Sequence, residues 1–216
     1  MSMKKKERAQ EILKRLKIYY KKTGPFAKWS NPLELVVATI LSAQCTDERV
    51  NRVTPALFKK YTTTQAYAQA DIKDLEKLIY STGYYKSKSR YLKKMGELLF
   101  SEYSGRVPER FEDLLRIPGV SKKSACIIGA KAFGNMYGVA VDTHVWRVIP
   151  RWGIAQAKNR DALAKEVEKL FPKEEYLNVN EYAIMLGRDI CIPRKPLCES
   201  CFLKDICLRK GISSFL

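Results

Sequence analysis

Apolar side chains recur along most of this chain at helical spacing, and no stretch sustains an alternation with period two. From Ala9 onward, Ile12, Leu13, Leu16, Tyr19 and Tyr20 fall on one face, with lysines and arginines between them, until Gly24-Pro25 interrupts the pattern. This predicts an amphipathic helix with a basic outer face. Asn31 followed by Pro32 reads as a helix start, because an Asn side chain accepts from a first-turn amide and a proline there lacks only a donor the helix does not use. Behind it, Leu33 to Leu41 is apolar nearly all round, as in a helix enclosed by a bundle, and is expected to form the central core.

Further helices are predicted from Asp47 to about Tyr61, from Asp71 to Ser81 with Gly83 behind, and from Ser87 to Tyr103 with Gly105 behind. Phe111 to Arg116, Ser121 to Phe133, Thr143 to Trp152, Arg160 to Phe171 and Glu175 to Arg188 complete the series. The fold class is therefore all-α. There is no long repeat, low-complexity tract or Gly/Ser linker, so any division into domains has to come from packing.

Charge adds what the pattern cannot. The 216 residues are 46% hydrophobic, enough for a real core, yet 40 Lys and Arg face 23 Asp and Glu, leaving a formal charge of +17. A polyanion partner follows, nucleic acid ahead of anionic lipid. No run approaches the roughly 18 apolar residues of a membrane span. The start, Met-Ser-Met-Lys-Lys-Lys-Glu-Arg, leads into a charged helix rather than an apolar signal core, so a cytoplasmic protein is expected, or a nuclear one in a nucleated cell.

Of six cysteines, Cys45 and Cys126 stand apart, while Cys191, Cys198, Cys201 and Cys207 are separated by six, two and five residues. That crowding favours a metal centre over a disulfide scaffold, and four sulfurs without histidine suit either tetrahedral zinc or a [4Fe–4S] cube. Between the first two, Pro193 and Pro196 stiffen a loop that presents Arg194 and Lys195, a form suited to a phosphate contact as well as to a solvated charged loop.

Two segments carry candidate chemistry. Leu114 to Ala125 reads as a helix end, a Pro118-Gly119 turn and a new helix start, so the amides of Gly119, Val120, Ser121 and Lys122 are expected to point outward and hold a DNA phosphate. In Val139 to Val148, Asp142 follows an apolar stretch and precedes a helical one, which by itself predicts an N-cap. Facing Lys123, its other oxygen would complete an amine–carboxylate pair able to act as nucleophile and acid–base partner. His144, the lone histidine, is expected to pack or cap rather than ligate.

Together, the hairpin Ile117-Pro118-Gly119-Val120-Ser121-Lys122-Lys123, the segment Val141-Asp142-Thr143-His144, the cysteine spacing and Leu41-Ser42-Ala43-Gln44-Cys45-Thr46-Asp47 resemble the endonuclease III family of helix-hairpin-helix DNA glycosylases, over about Asn31 to Arg209. The resemblance implies a [4Fe–4S] cluster on the four cysteines. It also implies a six-helix domain over residues 30–135, a discontinuous iron–sulfur domain over 1–29 and 136–216, and a monomer holding double-stranded DNA in the cleft between them. Lys123 takes the nucleophile position, Asp142 the carboxylate position, and Gln44 that of a side chain filling the gap left by a flipped-out damaged nucleotide. Tyr84 stands where relatives often carry an aliphatic wedge, and Ser121 where a glycine is usual. The implied activity is removal of oxidised pyrimidines and β-elimination at the abasic site through a lysine Schiff base, which needs an uncharged Lys123 amine in desolvated surroundings beside Lys122. The alternatives are a relative specialised for uracil, thymine mismatches or abasic sites, and a non-catalytic DNA-binding module.

Overall fold

The computed structural model describes residues 3–24 and 26–212, and its regular structure there consists of eleven α-helices and two 3-10 turns. The interruption expected at Pro25 lies outside the described residues. The chain divides into two compact units, one of Pro25–Asn135 and one of Met1–Gly24 with Met136–Leu216.

In the first unit, α2 (Pro32–Leu41) starts as predicted: Asn31 Oδ1 accepts the Glu34 amide at 3.0 Å, and Pro32 fills the first turn. Val36, Val37, Ala38 and Leu41 are wholly buried where α2 packs on α3 (Asp47–Lys60), α6 (Tyr85–Glu102) and α8 (Lys122–Phe133). Each fully buried aliphatic side chain of this kind contributes about 1.5–3 kcal/mol. Two short helices were beyond the reach of periodicity or shifted from it. α4 (Thr64–Ala68) is capped by the Thr63 hydroxyl, which accepts the Ala66 amide at 3.1 Å, and it lies so close to α6 that a Cβ on Gly96 would stand 2.6 Å from Tyr67 Cβ. α5 (Ile72–Ile79) stops short of the predicted Ser81, because the chain tightens into a 3-10 turn over Tyr80–Thr82 before Gly83. α6 in turn starts ahead of Ser87, with the Tyr84 carbonyl accepting the amides of Ser87 and Lys88. α7 (Phe111–Arg116) leads into the hairpin.

The second unit is built on α1 (Lys5–Tyr20), α9 (Thr143–Trp152), α10 (Arg160–Glu168) and α11 (Tyr176–Asp189), around Ile12, Leu16, Val148, Trp152, Leu163 and Ala183. α1 begins before Ala9 because the Lys4 amide donates to Glu7 Oε2 at 3.1 Å, closing its first turn. α10 ends before the predicted Phe171, though Leu170 and Phe171 remain buried in the same core. Gly187 lets α11 approach α9: a Cβ there would meet His144 Nδ1 at 2.8 Å and Arg147 Nη2 at 2.9 Å. After Asp189 the described chain has turns but no helix, and Leu203 is the only buried side chain between Cys191 and Ile212. No helix among the described residues is long and apolar enough to cross a membrane.

Candidate active site

The hairpin reverses through Gly119, whose φ of +87° lies in the region open to glycine, and a Cβ there would press on the Tyr91 ring at 3.2 Å. The Val120 amide donates to the Ile117 carbonyl at 3.0 Å and its side chain is buried, so this residue is turned into the reversal rather than outward. Ser121, expected inside the next helix, is instead its N-cap: Oγ accepts the Ser124 amide at 3.3 Å. Lys122 and Lys123 follow on the first turn of α8, both exposed. With Lys123 exposed, the desolvation that the chemistry requires has to come with a bound partner.

Asp142 divides its carboxylate between two settings. Oδ1 accepts the amides of His144 and Val145, both at 2.8 Å, which caps α9, whereas Oδ2 has no hydrogen-bond partner among the described residues. The cap fixes the orientation of the remaining oxygen. Asn180, buried, donates to the Ala140 carbonyl at 2.6 Å and so steadies the strand-like approach to Asp142. His144 packs as expected: burial pushes its pKa down, with Asp142 acting in the opposite sense, and Nδ1 lies 3.2 Å from Arg147 Nη2.

Gln44 and Tyr84 are exposed, and both hold a left-handed backbone, at φ 50° and 49°. A non-glycine residue in that region costs on the order of 1 kcal/mol, so each must be held there by its surroundings.

Beyond α11, two arginines of α9 grip the base of the cysteine loop. Arg147 Nε donates to the Cys191 carbonyl at 3.1 Å, and Arg151 donates to the carbonyls of Ile192 and Pro193 at 2.8 and 2.7 Å. Arg194 and Lys195, just past these bonds, project as exposed side chains from an anchored segment. Neither arginine stands out in the sequence. Their signal was the four-residue spacing on the helix that Asp142 caps, which puts both on one face.

Cys191, Cys198, Cys201 and Cys207 are unpaired by disulfide, half-buried, and line one cavity with Trp152, Leu186 and Leu203. Four sulfurs around one shared cavity fit a multi-atom cluster. Burial, opposed by the Arg209 amide and reinforced by the other three cysteines, pushes the Cys207 thiol up to about 11. Burial likewise raises that of Cys201. Four neighbouring thiolates thus need a cationic centre, and Arg151 Nη1, 3.4 Å from Cys191 Sγ, already supplies one charged donor.

Two family models match the chain: HhH-GPD superfamily base excision DNA repair protein over residues 37–173, and iron-sulfur binding domain of endonuclease III over residues 191–207. Endonuclease III of Synechocystis sp. is 43% identical over 203 residues, covering 94% of this chain and 93% of the relative. Endonuclease III of Bacillus subtilis is 40% identical over 186 residues, covering 84% and 83%. Among solved structures, a trapped endonuclease III–DNA covalent intermediate superposes with a TM-score of 0.88 at 36% identity, over 95% of this chain and 96% of that one. The all-helical architecture, the cysteine cavity and these similarities place the chain in the endonuclease III family, as a base-excision DNA glycosylase and abasic-site lyase that carries a [4Fe–4S] cluster.

Proposed function

We infer that this chain excises oxidised pyrimidines from double-stranded DNA and then cuts the strand, with Lys123 as the nucleophile and Asp142 as the carboxylate that assists it. The observation that carries the assignment is the exposed Lys123 amine on the first turn of the hairpin helix, within reach of any backbone held at that helix N-terminus. A covalently trapped DNA complex of a 36% identical neighbour supports a covalent route.

A base inside a duplex hides its glycosidic bond, so the nucleotide must first be extruded and the gap filled. Gln44 is proposed to fill it and Tyr84 to stack on the orphan base. Amides at Gly119, Ser121 and Lys122 hold a phosphate in this scheme; that of Val120 is committed to Ile117. Asp142 Oδ2 stabilises positive charge on the sugar as the base leaves with the bonding pair, and accepts a proton from Lys123 as its amine bonds to the anomeric carbon. Ring opening leaves an imine. Loss of a proton from the neighbouring carbon then expels the 3′ phosphate oxygen, breaking the strand.

Cys191, Cys198, Cys201 and Cys207 would hold the [4Fe–4S] cluster, which would supply a rigid chelate fixing the loop that carries Arg194 and Lys195. We assign residues 30–135 to a hairpin domain and residues 1–29 with 136–216 to a cluster domain, and the cell location to the bacterial cytoplasm on the nucleoid.

A nicking panel tests the lesion class: duplexes with thymine glycol are expected to be cut far faster than those with uracil or mismatched thymine. Preference for a mismatch, or cutting only of preformed abasic sites, would replace the reading. For Lys195→Ala, weaker binding to all duplexes alike is expected, with the log–log salt slope reduced by about one unit as one phosphate contact is lost. An unchanged slope in a binding titration would leave Lys195 as a solvated charge.

A further inference from the structure

Lys88 is buried to 3% exposure, an unusual place for an ammonium. It falls on the apolar stripe of α6, in register with Leu92, Met95 and Leu99, all wholly buried. Its Nζ donates to the Leu41 carbonyl at 2.7 Å and to the Thr82 carbonyl at 2.8 Å. Leu41 is the last residue of α2 and Thr82 the last of the 3-10 turn, so both acceptors are end carbonyls that helical bonding leaves open. A cation set at two such ends is favoured by their partial negative charge, which offsets its burial. Burial still pushes the Lys88 pKa down, with Cys45 nearby acting against it.

The two carbonyls each precede a left-handed, exposed residue: Leu41 leads to Gln44, and Thr82 leads through Gly83 to Tyr84. The Lys88 amide also donates to the Tyr84 carbonyl at 3.0 Å. One residue thus ties down both loops that carry the candidate gap-filling side chains. Tyr91, a turn further along the same helix, lies under Gly119 of the hairpin.

We propose that Lys88 is a positioning residue that locks the Gln44 and Tyr84 loops to each other through the Leu41 and Thr82 carbonyls, so that the two side chains enter DNA as one preset unit. The proposal rests on the reading of Gln44 and Tyr84 as gap-filling residues. Lys88 touches no substrate itself; it makes the two insertions interdependent. Without its ammonium each loop would relax separately out of its left-handed conformation, and neither side chain would gain from the other's presence.

Two measurements on the full chain test this, with Lys88→Met, which keeps the stem and removes the donors, and with Lys88→Gln should the methionine variant not fold. In free protein, amide hydrogen exchange over residues 42–46 and 82–86 is expected to quicken together by about tenfold or more while the centres of α2 and α6 keep their protection. In a duplex with 2-aminopurine opposite a tetrahydrofuran abasic analogue, Gln44→Ala and Tyr84→Ala should each lower the fluorescence rise on binding, and their combined effect should depart from the product of the two. In the Lys88 variant that coupling should shrink by about tenfold, towards simple multiplication. Unchanged exchange in both loops, or exchange quickened throughout the unit with the coupling intact, would overturn the proposal and leave Lys88 a merely structural cation. If Gln44→Ala and Tyr84→Ala leave the fluorescence unmoved, the gap-filling reading fails, while the exchange measurement still decides whether Lys88 locks the loops.

Discussion

Lys123→Gln is expected to abolish both the borohydride-trapped adduct with abasic-site DNA and strand cleavage, while binding to that DNA stays within about threefold of wild type. The amide side chain keeps length and polarity but has no amine to form an imine, so the loss is of the covalent step itself. Binding survives because the phosphate is assigned to amides at the hairpin and helix start, and Ser121 caps α8 whatever stands at 123. As an exposed side chain, Lys123 contributes little to packing, so an unchanged melting temperature should accompany the loss. Trapping at the wild-type level by this variant would place the nucleophile elsewhere.

The second large effect is expected for Asp142→Asn. The Asn side-chain oxygen can still accept the His144 and Val145 amides, so the cap and most of the stability are kept. What is lost is the negative charge opposite the developing cation, worth on the order of 10²–10⁴-fold in a well-placed acid–base group. Excision of a damaged base should therefore slow by about that factor, and cleavage of a preformed abasic site by much less, since no base remains to be expelled. Single-turnover rates on the two substrates, measured side by side, give the comparison. Equal slowing of both would assign Asp142 to positioning alone, and wild-type excision would make it a cap and nothing more.

How far such readings could go without coordinates differs from residue to residue. Where a local rule decides, the sequence was sufficient: Asn31-Pro32 starts α2, Asp142 caps α9, and Phe111–Arg116 and Thr143–Trp152 have the predicted bounds. α4 escaped because five residues are too few to show a period, and its place is set by the missing side chain at Gly96 on a helix far along the chain. The exposed setting of Lys123 could not be foreseen, since burial is a property of the whole fold. Lys88 is a parallel case. Among the lysines and arginines of α6 it did not stand out in the sequence, and only the approach of Leu41 and Thr82 shows that it is buried and why it is tolerated. Likewise the cysteine spacing by itself left zinc and iron–sulfur open, and it was the family resemblance, borne out by the iron-sulfur domain match over residues 191–207, that separated them.

The helix-free stretch from Cys191 to Ile212 has Leu203 as its sole buried side chain, with Phe202, Ile206 and three of the four cysteines only half-buried against the core. Chelation is expected to complete its shape, so it should mature after the helices, at the pace of metal delivery rather than of collapse. A cell starved of iron would then accumulate molecules whose helical units are complete and whose tail is still open, an immature pool that heat stability of the core would not reveal and that proteases would find at the tail first.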